Sequence, residues 1–409
     1  MLRIVAQLIL ALAYGTGILV AILARAIPRR GWQPNGRIVV MGTFFNPNWY
    51  HSHVTPLARC GLREVILVCD KPADPMENVR FVCPPAILSA IASRAIAKFL
   101  WTMLAGIRYR PDLYMGYHIF PGALFTLVAA RLFGRPACYQ VTSGQLELEG
   151  GGWHAENRLL IALKKPSALI ETMALALVRQ FDLIVVRGND AKNYVRNAGY
   201  RGSLAVITGS VKERAWQDWP DRDNDLVFVG RLTEYKRPDR FVATVAGVAK
   251  QIPRVCAVMV GDGPLMRELK DRAAALGVRE NINFTGQRKD VETILSRSKI
   301  FVLTSRWEGL SIAMMEAMAA GAVPVVSDVG DLRDLVREGE NGHLVGENQI
   351  DVFVEHISRL LGNPLLWRRC SLAAARDAIE FSGIEAICAR WRKSLTEAIG
   401  DASRLEHSK

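Results

Sequence analysis

The sequence predicts an α/β chain of two doubly wound domains with mostly parallel sheets, preceded by a hydrophobic helix. Three observations carry that expectation. From residue 37 onward, short apolar runs bounded by Gly, Pro and Asn alternate with helical stretches, the pattern of parallel sheets covered on both faces. A polar stretch at residues 212–224, KERAWQDWPDRDN, interrupts the alternation and reads as a junction between two domains. Ahead of both, residues 4–24 form an apolar run with only Gln7 and Thr16 as clearly polar interruptions.

Composition bounds the answer. A chain of 409 residues suits two or three domains with sizeable cores. Half of it is hydrophobic and 22% is charged, which fits a globular enzyme with some membrane contact and excludes a disordered chain. The net charge of +12 is uneven, since residues 1–110 hold 13 Lys and Arg against 4 acids. Such a surface suits nucleic acid or anionic lipid; no nucleic-acid motif is present, so lipid is the expected partner. The seven cysteines show no CxxC spacing and read as thiols of a reducing compartment, not as a zinc site or a disulfide framework.

The apolar run of residues 4–24 is long enough to cross a bilayer as a helix, so residues 1–30 are assigned as a membrane anchor. A signal peptide is the competing reading, with Ala24-Arg25-Ala26 as a small-x-small cleavage site. Arg25, Arg29 and Arg30 outnumber Arg3, which puts the body of the protein on the cytoplasmic side of an inner membrane. Residues 31–212 form the first domain. RIVVM at Arg37–Met41 is its first strand, followed by Gly42 and a loop through Asn46 toward a helix near residues 51–60. A second strand at residues 64–69 gives way to a Pro-rich loop. Residues 86–109 read as one helix, either core-facing or, given Phe99, Trp101 and its cations, interfacial. His118 follows a strand, at the end where open α/β sheets bind ligands, although a lone histidine there is more often structural. Residues 150–180 are irregular and read as a core helix, a lid, or a surface for a lipid-linked acceptor. Further strands at residues 183–186 and 204–209 flank a helix at 189–198 and close the domain.

Residues 213–224 are read as the linker and 225–380 as the second domain. The linker holds Asp221-Arg222-Asp223, formally a metal-binding triplet, but it precedes a strand where such triplets end one, so no metal ligand is assigned. Strand 225–229 leads into Gly230-Arg231-Leu232-Thr233-Glu234-Tyr235-Lys236, where two cations five residues apart suit an anion with several oxygens. Gly261-Asp262-Gly263 follows another strand, but Met266 stands at the third glycine position of a dinucleotide fingerprint. Residues 287–291, with Arg288, form a further strand-to-loop junction.

The organising stretch is residues 301–324, FVLTSRWEGLSIAMMEAMAAGAVP. A buried strand is followed by a turn with Glu308 and by a helical run, residues 310–320, that Glu316 interrupts. A carboxylate among Met and Ala is costly to bury without a polar partner, which an ordinary structural Arg or amide would also satisfy. Eight helical positions would put the two glutamates roughly 12 Å apart, about the reach of a diphosphate with a sugar on each side. The amides of Gly309, Leu310 and Ser311 open the helix and favour an anion.

Glu308-GLSIAMM-Glu316, followed by AMAAGAVPVV, resembles the Glu-x7-Glu fingerprint of retaining GT-B glycosyltransferases of the family 4-like, group 1 kind. The resemblance covers roughly residues 37–395 and is specific mainly over 227–345. It implies GT-B architecture, two Rossmann-like domains facing across a cleft, with residues 381–409 as terminal helix returning to the first. It implies a diphosphate clamp at Arg231 and Lys236, a donor base over the loop of Arg288, and donor contacts at Gly230, Gly261, Gly309, Leu310 and Ser311. Glu308 would hold donor-sugar hydroxyls, Glu316 the ribose, and His118 would lie against the donor sugar. The first domain departs from the family pattern, with a single Gly42 followed by aromatics and Asn46 on the acceptor side.

The expected activity is transfer of a sugar from a nucleotide-sugar to a membrane-associated acceptor, a lipid-linked saccharide or glycolipid, with retention of configuration and with no cofactor or metal. A glycosidase pair of carboxylates would stand closer together across one bond. A nucleotide-sugar epimerase would isomerise the donor with no acceptor present. A non-catalytic membrane partner that binds a nucleotide-sugar is the remaining alternative, against which the intact Arg231, Lys236, Glu308 and Glu316 speak.

Overall fold

A computed structural model of the chain describes residues 2–32, 35–44, 47–153 and 157–406. The chain divides into two compact units, Met1–Ser210 with Ile387–Lys409, and Val211–Ala386.

The first unit is built on seven strands: β1 (Arg37–Met41), β2 (Glu64–Val68), β3 (Val79–Val82), β4 (Leu113–Tyr117), β5 (Ala137–Gln140), β6 (Leu183–Val186) and β7 (Ser203–Val206). Their order is β3-β2-β1-β4-β5-β6-β7 and every described pairing is parallel. Parallel strands buried on both faces need near-continuous apolar runs, and RIVVM, EVILV and LIVV supply them. Helices α1 (Leu2–Leu23), α2 (Pro47–Arg59), α3 (Ala86–Ala92), α4 (Arg94–Tyr109), α5 (Leu124–Leu132), α6 (Arg158–Ile161), α7 (Ala168–Val178) and α8 (Asn189–Asn197) complete this part of the unit. The strand β3 falls where a Pro-rich loop was expected, because its residues are only half-buried at the sheet edge and carry a weak apolar signal. The single helix expected over residues 86–109 is two. Ser93, at φ 74°, breaks it, and its hydroxyl accepts from the Ile96 amide at 3.4 Å to start α4.

Helix α1 does not stand free of the domain. Ala6, Leu10, Tyr14 and Ala21 belong to the first unit's core, and the helix packs on α5 and α7. At Gly17 an added Cβ would overlap Leu124 and touch Leu177, so the close approach of the three helices requires glycine there.

The second unit carries β8 (Asn224–Val229), β9 (Ala257–Val260), β10 (Ile282–Gly286), β11 (Ser298–Leu303), β12 (Val323–Ser327) and β13 (His343–Val345), again all parallel, in the order β10-β9-β8-β11-β12-β13. Around them stand α9 (Pro238–Ala249), α10 (Met266–Ala275), α11 (Val291–Ser296), α12 (Ile312–Ala319), α13 (Ile350–Leu361) and α14 (Pro364–Ser382), and the chain ends in α15 (Ile384–Glu406). Both units therefore have the doubly wound Rossmann-type order, the fold expected from sequence.

The stretch read as a linker is built into the second unit. Trp216 donates to Ser371 Oγ at 2.8 Å, and Trp216 and Trp219 pack on the buried Trp367. Arg222, 2% exposed, donates to the carbonyls of Ser298 (2.6 Å) and Ala320 (2.7 Å). The polar composition of residues 213–224 concealed these anchors, because a Trp or an Arg stem can pack while its neighbours stay in water. In the triplet Asp221-Arg222-Asp223 the central guanidinium is thus structural, and Asp223 is paired with Arg297. At the other end, α15 passes back to the first unit at residue 387, where Ile387, Cys388, Trp391 and Leu395 are buried and Cys388 Sγ lies 3.4 Å from the Pro56 carbonyl.

Candidate functional site

In the second unit the strand order reverses between β8 and β11, so the loops leaving their carboxyl ends part and open a crevice. The loop after β8 holds Gly230, Arg231 and Lys236; the loop after β11 runs from Thr304 to Glu308. Four contacts join them. Lys236 Nζ meets Glu308 Oε1 at 2.5 Å, with both side chains largely shielded from solvent. The Arg306 amide donates to the Tyr235 carbonyl at 2.8 Å, and the Tyr235 and Trp307 rings stack at 5.9 Å. The Thr304 hydroxyl donates to the Arg237 carbonyl at 2.7 Å, while Arg237, in the left-handed region at φ 48°, is held by a bidentate pair with Asp239.

Glu308 is further fixed by Ser305, whose hydroxyl donates to Oε1 at 2.6 Å. The loop after β12 closes on it from another side: Gly330, at φ 54°, packs so tightly that a Cβ would collide with the Glu308 carbonyl. Gly261, at φ 136°, lies in the same way against the Gly230 carbonyl, so these glycines let bare backbone meet at the strand ends. Arg231 is exposed at the head of the β8 loop.

Helix α12 starts at Ile312, later than the sequence indicated, with Ser311 as its cap accepting from Met314 N at 3.3 Å. Gly309 and Leu310 precede it in a bend, so the helical rise of roughly 12 Å between the glutamates applies only to the part after residue 311. Glu316 is partly buried on α12. Burial pushes its carboxyl up to about 7, Glu292 adds to that, and Arg214 and Lys212 oppose it. Both cations pair with Glu292 on α11. Arg288 follows the carboxyl end of β10, where it forms an exposed bidentate pair with Asp290 and lines a depression with Asn283, Thr285 and Thr293. The carboxylate two residues along has captured the guanidinium.

In the first unit the order reverses between β1 and β4, which places Gly42 and His118 at the two strand ends. Gly42 is needed because a Cβ would overlap the Phe44 ring, and its carbonyl accepts from Lys98 at 3.3 Å. Asn46 lies outside the described residues. His118 sits at φ 60°, uncommon for a non-glycine residue, and half of its side chain is exposed. Its strain is held by Glu147, which the sequence reading passed over. Buried Glu147 accepts from the amides of Ile119 (3.0 Å), Thr142 (2.7 Å) and Ser143 (3.1 Å) and from the Tyr139 and Thr142 hydroxyls (both 2.8 Å). Since Thr142 spends its proton on Glu147, it accepts from His118 Nδ1 at 2.9 Å. His53 is neutral: burial and nearby Arg187 hold it down to about 3, it stacks on Trp49 at 4.1 Å, and Nδ1 lies 3.1 Å from the Trp49 carbonyl.

One group among the described residues could hold a metal ion: Glu338, His343 and His356, whose ligand atoms lie within 4.8 Å of one another. The two rings stack at 4.0 Å and 14°, and Glu338 Oε1 is 2.6 Å from His343 Nδ1. Parallel rings send their in-plane lone pairs side by side and not toward one point, so the group reads as a hydrogen-bonded pair.

Comparison with known proteins decides what the crevice of the second unit belongs to. Residues 211–377 match the glycosyl transferases group 1 family. Over 167 residues the chain is 34% identical to the UDP-Gal:alpha-D-GlcNAc-diphosphoundecaprenol alpha-1,3-galactosyltransferase of Escherichia coli, covering 40% of this chain and 42% of that one. It is 28% identical over 128 residues to the alpha-1,4-N-acetyl-D-galactosaminyltransferase of Campylobacter jejuni that acts on a diNAcBac-PP-undecaprenol-linked saccharide, covering 31% and 35%. The chain thus spans less than half of the length of these curated relatives. Among solved structures, HepE of Anabaena in complex with UDP-glucose superposes with a TM-score of 0.69 at 16% identity, over 88% of this chain and 99% of that one. The fold is therefore GT-B, and the group 1 segment of the second unit contains Lys236, Glu308 and Glu316.

The sequence pointed to Lys236 and Glu308 and the structure joins them. Ser305, Tyr235 and Trp307 were missed, although their positions beside the two charged residues were a signal. Lys212 and Arg214 were hidden in the supposed linker.

Proposed function

We propose that the chain is a retaining, metal-independent glycosyltransferase that moves a sugar from a nucleotide-sugar to a lipid-linked saccharide acceptor in surface polysaccharide or glycolipid synthesis, at the cytoplasmic side of a membrane. The observation that carries the reading is the Lys236–Glu308 pair, held across the two switch-point loops within the group 1 segment. Relatives whose names specify UDP-Gal and diphosphoundecaprenol-linked acceptors support the substrate classes.

In this reading the bond between the anomeric carbon and the diphosphate oxygen breaks, the acceptor hydroxyl oxygen takes that carbon, and its proton is released. Negative charge grows on the departing nucleoside diphosphate. Lys236, Arg231 and the amides of Gly309, Leu310 and Ser311 face that charge as preformed donors. Once the anion takes up the Lys236 ammonium, Glu308 is free to accept from donor-sugar hydroxyls, with Ser305 still fixing one oxygen. Glu316 accepts from the ribose.

A screen of nucleotide-sugars for thermal stabilisation and donor hydrolysis, followed by transfer to lipid extracts in EDTA, tests this. At least one donor is expected to raise the melting temperature and to be transferred with its anomeric configuration kept. Lys236→Ala and Glu308→Gln are expected to lower turnover about 10²–10³-fold, the usual effect of losing one transition-state donor, with near-native melting. The reading is refuted if no donor stabilises the protein, or if either variant retains full activity.

A further inference from the structure

Helix α1 passes the length and composition test for a membrane span, yet its buried stripe is committed to the protein. Tyr14 is fully buried with its ring edge-on to Phe120 at 6.1 Å, and Gln7 donates to Ser167 Oγ at 2.9 Å. A helix crossing a bilayer would carry α5 and α7, and with them the sheet they cover, into the hydrocarbon. The opposite face of α1 is apolar and open: Ile4, Leu8, Leu12, Leu19 and Leu23 are 55–73% exposed.

A second apolar face lies on the same side of the seven-stranded sheet, because α4 and α1 both pack on α5. The outer positions of α4, Ile96, Leu100, Leu104 and Ile107, are spaced as one helical stripe and are 42–66% exposed. In α3 no residue is buried, and Ile87 and Ile91 are 71% and 80% exposed. Exposed apolar area on this scale marks a docking surface.

Charge identifies the occupant. Residues 1–63 contain no acid, and neither do residues 78–111. Arg25, Arg30, Arg94, Arg108 and Arg110 are exposed at the ends of these helices. A protein partner or a second copy of this chain would call for acids as well as cations around the apolar centre. An apolar stripe with a rim of cations alone matches acyl chains beneath anionic headgroups.

We propose that the outer faces of α1, α3 and α4 form one seat by which the first domain rests in the headgroup–acyl boundary of an anionic bilayer, with α1 lying along the surface and not crossing it. The proposal stands on the first domain alone, so it fails or survives independently of the transfer chemistry.

The test uses the full chain on vesicles of zwitterionic lipid with or without phosphatidylglycerol. Spin labels are placed at Leu12→Cys and, separately, Leu104→Cys, in a Cys83→Ser, Cys256→Ser background whose remaining thiols are buried. Both labels are expected within about 10 Å below the phosphate plane. Flotation is expected to be at least tenfold greater on anionic vesicles and to weaken in high salt. Ile87→Asp with Ile91→Asp, at positions without buried contacts, is expected to cut flotation several-fold with unchanged melting. Residue 12 near the bilayer midplane with residue 104 in water would establish a crossing helix and overturn the proposal. So would vesicle-independent self-association that the Asp pair abolishes while flotation stays the same.

Discussion

Glu316 shows how one side chain couples the site to pH. With its carboxyl pushed up from the usual 4.5 to about 7, chiefly by burial, the folded state keeps a proton that the unfolded chain releases. Below about pH 4.5 both states are protonated and there is no penalty. Stability is lost as pH rises through the folded value, and above it the charged, buried form costs on the order of 3 kcal/mol. Glu316→Gln is therefore expected to melt like the native protein at pH 4.5 and several degrees higher at pH 8, checked by thermal melts across that range; equal melting at pH 8 would contradict the burial. At this scale the sequence was readable where a charge meets a charge. The resemblance put Lys236 and Glu308 at one site, and the structure pairs them. The Arg288–Asp290 pair was not foreseen, because a string of residues does not rank such local competitors. Glu147 escaped notice because its significance lies in the five donors that surround it, contributed by Ile119 and by residues 139–143.

At the scale of elements, the loop geometry of the second domain depends on backbone meeting backbone. Gly261→Ala combines a left-handed φ with a collision against the Gly230 carbonyl, whereas Gly277, at φ 72°, has nothing within 4 Å of its would-be Cβ. Gly277→Ala is expected to cost about 1 kcal/mol for its conformation alone. Gly261→Ala is expected to cost roughly 2–3 kcal/mol and to disturb the loop of Lys236. Denaturant titration of both variants measures the difference, and equal losses would mean that the two loops yield easily. The strands with continuous apolar runs, β1 and β6 among them, were legible almost to the residue. The half-buried β3 was not, and neither was the break at Ser93, where a residue with no special bias toward positive φ turns the chain.

For the molecule as a whole, the two-domain α/β architecture followed from periodicity. The chain enters the second unit at residue 211 and leaves it at residue 387, and the last helix completes the first unit. A chain ending at Ala386 loses four buried side chains, Ile387, Cys388, Trp391 and Leu395, worth about 2 kcal/mol each, comparable with the whole stability of a domain. Calorimetry of that truncation is expected to show the first domain's transition lowered by well over 10 °C or absent, with the second domain's unchanged. Retention of both would show that α15 is dispensable. Residues 213–224 misled for a related reason: polar composition tells which side chains tolerate water, and it leaves open that Trp216, Trp219 and Arg222 are fastened to the interior.

The two ends of the second unit meet. Val211 bridges Gly383 in parallel, with its amide 2.8 Å from the Ser382 carbonyl. A segment that begins and finishes at one spot can be lifted out as a cassette through two adjacent joints. Under the proposed function, its counterpart from a relative with another donor could then be transplanted onto the same first domain, so that sugar preference would travel with residues 211–386 and acceptor preference would stay behind.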